Sequence, residues 1–200
     1  MAKTTASNKK ISTEDKDSNK LLKDLIKASG SEWAGLASDG GAEITGYIDT
    51  GSTSLNALIS GSIRGGYAIP KITGLAGDPS TGKTFFMLQG VRSFLDANPR
   101  GIVVIYDSEH NISKELLSSR GVDPARVIVV EVDTIEDFKT RAVKMLNHYL
   151  TLDKVTRPPM FMALDSLGML STLKETEDAD NDKHVVDMTK ARVTKGTFRI

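Results

Sequence analysis

The 200-residue sequence contains no cysteine. Disulfides, thiolate metal sites and cysteine nucleophiles are therefore excluded together. It also lacks net charge, because 26 Lys and Arg balance 26 Asp and Glu, so contact with a polyanion needs a local basic patch rather than a global field. No apolar run approaches the roughly 18 residues of a membrane span. The N-terminus has no apolar centre of the kind that secretion signals carry. The reading is a cytoplasmic protein with no membrane partner. Internal repeats are absent. What is there, 39% apolar and 26% charged residues, matches one sizeable folded domain.

Residues 1–20 hold a single large aliphatic side chain beyond Met1, that of Ile11. So little apolar surface cannot offset the entropy of ordering, and a disordered tail is expected. Residues 21–55 read as a short helix and a linker. Leu21, Leu22, Leu25 and Ile26 form one apolar stripe, with Ser18 as cap and Gly30 as stop. The glycine- and serine-rich stretch that follows contains the Gly40–Gly41 hinge and a possible short strand over 45–50.

From residue 56 to 200 apolar strands alternate with helices. Strands are expected at 71–76, 102–107, 127–132 and 159–165. Helices are expected at 84–97, with Phe85, Leu88, Val91, Phe94 and Leu95 on its apolar stripe, at 113–120, and from Thr134 with Asp137 as a box-like partner. Near-continuous apolar strands separated by helices predict an α/β fold, a parallel sheet covered by helices on both faces.

The stretch GLAGDPSTGKTFF, residues 74–86, carries the chemistry. Gly77-Asp78-Pro79-Ser80-Thr81-Gly82-Lys83-Thr84 has the spacing of a phosphate-binding loop, in which successive backbone N–H groups point at one anion. Lys83 would reach the outer phosphates of ATP, the Thr84 hydroxyl would bind Mg²⁺, and Phe85 completes the run of candidate nucleotide contacts. Asp165 ends an apolar strand and is the candidate carboxylate on the other side of the metal. DSEHN, residues 107–111, offers Glu109 to orient the attacking water, with Asp107 as its competitor.

His110, His148 and His184 show no metal-ligand spacing and are read as non-catalytic. Met160, Met162 and Met169 are read as core filler. The acidic run 175–184 reads as a mobile loop. Lys190, Arg192, Lys195 and Arg199 beyond it form either a DNA-facing stripe or a solvated face.

Taken in order, LIKAS (25–29), GDPSTGKT (77–84), YDSEHNI (106–112), SRGVDPARVI (119–128), LDSLGML (164–170), KETEDA (174–179) and VVDMTKA (185–191) resemble the RecA-type recombinases, most closely the phage UvsX group. The resemblance implies a P-loop NTPase of RecA-like fold that uses ATP and Mg²⁺, coats single-stranded DNA as a helical filament and promotes strand exchange in recombination and repair. It makes Glu109 the water-activating glutamate, with Lys83 as its catalytic companion, and Asp165 the Walker-B carboxylate. It places the first DNA-binding loop over 171–189 and a protomer-docking helix around Leu25.

Two departures stand out. Leu116 occupies the position aligned with an adenine-stacking aromatic. Family members also run on well past the last residue here, which implies a truncated or split recombinase completed by a separate C-terminal half, or a partner of the full-length protein. The alternatives are a non-catalytic protomer that modulates filaments and a RecA-fold ATPase of another kind, such as a hexameric helicase.

Overall fold

A computed structural model describes residues 13–31, 34–39, 43–180 and 189–198. It divides into two units, Met1–Thr45 and Gly46–Ile200. In the first unit α1 spans Thr13–Ala28. It thus begins before the apolar stripe, because the residues ahead of Leu21 include neither glycine nor proline to break a helix. The tail expectation is left with residues 1–12, which lie outside the described residues, as does the Gly40–Gly41 hinge. Leu21, Leu22 and Leu25 are 59%, 42% and 58% exposed within this unit.

The second unit starts earlier than the expected boundary near residue 56. β1 (Gly46–Ile48) pairs antiparallel with β2 (Tyr67–Ile69). Between them runs α2 (Thr53–Ser60), capped by the Ser52 side chain and ended by Gly61. Buried Asn56 holds this corner, accepting from Thr50 N and Oγ1 at 3.0 and 2.7 Å and donating to Asp49 Oδ1 at 2.7 Å.

α3 (Lys83–Ala97) follows the glycine-rich loop, then β3 (Ile102–Asp107), α4 (Lys114–Ser119), β4 (Val127–Glu131), α5 (Ile135–Thr151) and β5 (Met160–Asp165). The three strands form a parallel sheet in the order β4-β3-β5. β3 is central and, being apolar throughout, is buried on both faces, with Val103, Val104 and Ile105 at 0% exposure.

One face packs on α3 and α4 through Leu88, Val91, Phe94, Leu95 and Leu117. The other packs on α5 through Ile135 and Ala142, with Tyr106, Val132 and Leu170. Gly90 lets α3 approach β2, since a Cβ there would sit 2.6 Å from the Tyr67 ring. The chain is therefore α/β with helices on both faces of a parallel sheet, as expected.

Four expectations need correction. Residues 71–76 form no strand and leave Ile72 83% exposed, since they join neither outer edge of the β4-β3-β5 sheet. The acidic run is helical over its first part: α6 (Leu173–Asp180) is capped reciprocally, Glu175 N donating to Thr172 Oγ1 at 3.1 Å and Thr172 N to the Glu175 carboxylate at 2.8 Å. Residues 181–188, with His184, lie outside the described residues. Met169 is 64% exposed rather than core, whereas Met160 and Met162 pack against the α5 layer. Phe85 is 38% exposed, off the stripe that buries Leu88 and Val91.

α7 (Thr189–Thr197) sets Val193 against the α5 layer. Lys190 turns to the carbonyl of Gly168 at 3.1 Å, while Arg192 and Lys195 stay exposed; Arg199 lies outside the described residues.

Candidate functional site

The loop at 77–84 owes its shape to backbone conformations that few residues adopt. Gly82, the N-cap of α3, lies at φ 92°, and Ser80 at φ 62°. At Gly82 any side chain would strain the left-handed turn that aims the first N–H groups of α3 into the bend. Thr81 Oγ1 donates to Asp78 O at 2.8 Å, closing the tip. The Lys83 ammonium folds back over the loop and donates to Gly77 O at 3.0 Å and Asp78 O at 2.8 Å. Gly77 to Thr81 are exposed, so the bend opens to solvent.

Parallel register brings the carboxylates to it. Asp107 and Asp165 end β3 and β5 as direct partners. Thr84, on the first turn of α3, donates its hydroxyl to Asp165 Oδ2 at 2.6 Å across 81 residues of sequence. This contact joins the loop to the strand end.

The turn after β3 is stapled to the same place. Ser108 N donates to Asp165 O at 2.9 Å, and the Ser108 hydroxyl donates to Ser166 O at 2.7 Å and accepts from Ser166 N at 2.9 Å.

The two competing acidic residues separate by what they touch. Asp107, 1% exposed, accepts from Glu109 N at 3.0 Å through one oxygen and from Ile112 N at 2.8 Å through the other. Its carboxylate is consumed in shaping the turn. Glu109 is exposed, and its Oε2 accepts from Asn111 Nδ2 at 3.3 Å, which leaves the carboxylate able to meet a solvent molecule.

His110 stands at φ 53° and points away toward β4, with Nε2 3.1 Å from Asp133 Oδ1 and Nδ1 3.7 Å from Glu131. The Asp133 hydrogen bond raises its pKa. His148 lies exposed on α5.

Desolvation pushes the Asp165 carboxyl above its ordinary value. The Thr84 hydroxyl opposes this, Glu109 and Asp107 add to it, and Lys83 offsets a part. A raised folded-state pKa means that the native state binds the proton more tightly than the unfolded chain. The resulting stabilisation is present below the ordinary carboxylate value of 3.8 and is lost as pH rises through the folded pKa. Asp165→Asn should therefore raise the urea midpoint of the ligand-free chain at pH 7. The gain should shrink toward zero as titration approaches pH 3.8. A destabilised variant at pH 7 would mean that the carboxylate is held by more than this geometry contains.

A hydroxyl and a carboxylate oxygen in contact make a hard donor pair of the type Mg²⁺ takes alongside phosphate oxygens. The residues present thus fit that ion. Sequence reasoning did not register the serines that follow each strand, Ser108 and Ser166. The signal was available, since both strands end in Asp-Ser.

No family profile matches the chain. It is 37% identical over 177 residues to the recombination and repair protein of Enterobacteria phage T4, a match covering 88% of this chain and 44% of that protein. Over this stretch the chain is a homologue of the RecA-type recombinases. A second relative, protein RecA of Petrotoga mobilis, is 27% identical over 179 residues, covering 86% of this chain and 45% of its own. The chain spans less than half the length of these two relatives. The RecA-like reading of the fold agrees with the parallel sheet and with the loop at the head of α3. Among the described residues no helix is long and apolar enough to cross a membrane.

Proposed function

We propose that this RecA-type chain binds Mg²⁺–ATP in the bend at 77–84 and serves homologous recombination and repair. In this role it would coat single-stranded DNA as a helical filament that hydrolyses ATP during strand exchange. The observation that carries the reading is the 2.6 Å bond between Thr84 and Asp165. It joins a hydroxyl that could take a metal ion to a buried carboxylate, next to Lys83, at the end of the sheet where open α/β folds take their ligands.

Backbone N–H groups of the loop would hold the phosphates, and Lys83 would exchange its two carbonyl partners for outer phosphate oxygens. Bound Mg²⁺ would neutralise charge on those oxygens. Glu109 would accept a proton from the attacking water, while Asp107 keeps the turn in shape.

Self-association is supported by the exposed leucines of α1, proposed here as the protomer-docking helix ahead of the ATPase core. Arg192 and Lys195, exposed after the segment aligned with the first DNA-binding loop, give the local positive charge that single-stranded DNA requires.

Fluorescence anisotropy of a labelled oligothymidine titrated with the chain tests the reading. Binding should appear with Mg²⁺–ATP, weaken without nucleotide and fall steeply with added salt. Equal affinity with and without nucleotide, or none in either case, would contradict it.

A further inference from the structure

A phosphate loop grips the tail of a nucleotide, and the base must lie against something else. The position aligned with an adenine-stacking aromatic holds Leu116, whose side chain packs against the α3–α4 core layer and offers no plane to a ligand.

A planar surface lies instead one residue past Thr84. Phe85 leaves the core stripe of α3 and is 38% exposed. Its ring meets Phe86 edge-on, with centroids 5.4 Å apart and planes at 79°, and the guanidinium of Arg120 lies over it at 5.1 Å. Arg120 is the C-cap of α4, fixed by its backbone N–H to the carbonyls of Leu116 and Leu117. Among the described residues no carboxylate pairs with it. The exposed guanidinium thus has an aromatic face as its partner, beside the loop and on the helix that follows the Glu109 turn.

We propose that Phe85 and Arg120 form the base subsite, on which a purine ring stacks in parallel with the guanidinium. The proposal rests on the phosphate-loop reading above. A guanidinium is planar, weakly hydrated and stacks on π faces, and every base presents such a face. The pair contains no acceptor for the 6-amino group of adenine, and a guanidinium stacked face-on keeps its N–H donors in a plane parallel to the base, away from the O6 at the edge of guanine. Affinity for purine triphosphates follows from stacking, with little choice between the two bases.

Calorimetric titration of the chain with Mg²⁺–ATP, Mg²⁺–GTP and Mg²⁺–tripolyphosphate tests this. ATP and GTP should bind with similar affinity, each about tenfold more tightly than tripolyphosphate. Arg120→Gln and Phe85→Leu should each remove about that factor for ATP and leave tripolyphosphate binding unchanged. Phe85→Tyr should retain it.

ATP affinity unaffected in both variants would overturn the inference alone, as would an equal loss for tripolyphosphate or ATP bound far more tightly than GTP. Failure of the wild-type chain to bind any of the three would remove the phosphate-loop reading as well, so the two failures are distinguishable.

Discussion

Lys83→Ala is expected to weaken Mg²⁺–ATP binding by about 10- to 100-fold, the range of one charge-assisted contact to phosphate. In the ligand-free chain the ammonium already sits at the mouth of the bend, donating to Gly77 O and Asp78 O. In the proposed complex the same atom that bridges the loop would meet the ligand. The two carbonyls it releases remain in an exposed loop where water can replace it. Stability should then change by no more than about 0.5 kcal/mol. Calorimetric titration and a urea melt on the same preparation check both halves. An unchanged ATP affinity would remove Lys83 from the site, and a collapsed melt would make it structural.

Glu109→Gln carries the other large effect. ATP affinity should stay within about twofold, whereas hydrolysis in the turnover-competent assembly should fall by about 10²- to 10⁴-fold, the usual contribution of a positioned general base. The amide keeps the size of the side chain and loses the proton acceptor. Asp107 is no substitute, because both its oxygens are bonded to the backbone of the turn. Single-turnover phosphate release with DNA present separates chemistry from binding. A variant that retains most of its rate would assign the base to another group.

Much of the architecture was readable because the signals were local. β3 and β5 are continuous apolar runs closed by Asp, and α4 and α5 start at Ser113 and Thr134, whose side chains accept from the residue three positions on. The bend at 77–84 was readable for the same reason, its glycine spacing being contained in eight residues.

What failed depended on partners or on phase. Residues 71–76 have a strand-like composition, but a strand exists only against a neighbour. Phe85 was counted with Phe94 along steps of three; each step falls about 60° short of a full turn, so after three steps the two rings face opposite sides. Charge hid α6, since the Thr172–Glu175 box lies inside an acidic run that resembles a loop. α2 was hidden by its glycine- and serine-rich surroundings and by Asn56, a buried polar residue where apolar periodicity would be sought. The choice between Asp107 and Glu109 was undecidable from spacing, because only the folded turn reveals which carboxylate the backbone has taken.

Everything about nucleotide use depends on Thr84 and Asp165 meeting at a metal-binding point, and the metal dependence of ATP binding measures that meeting most directly. Titrating ATP into the chain with Mg²⁺ present, and again with the metal chelated, should give tight binding in the first case and loss of most of the affinity in the second. In Asp165→Asn the two titrations should converge on the weak value. Equal affinity with and without metal in the wild-type chain, or full metal dependence surviving in Asp165→Asn, would contradict the account.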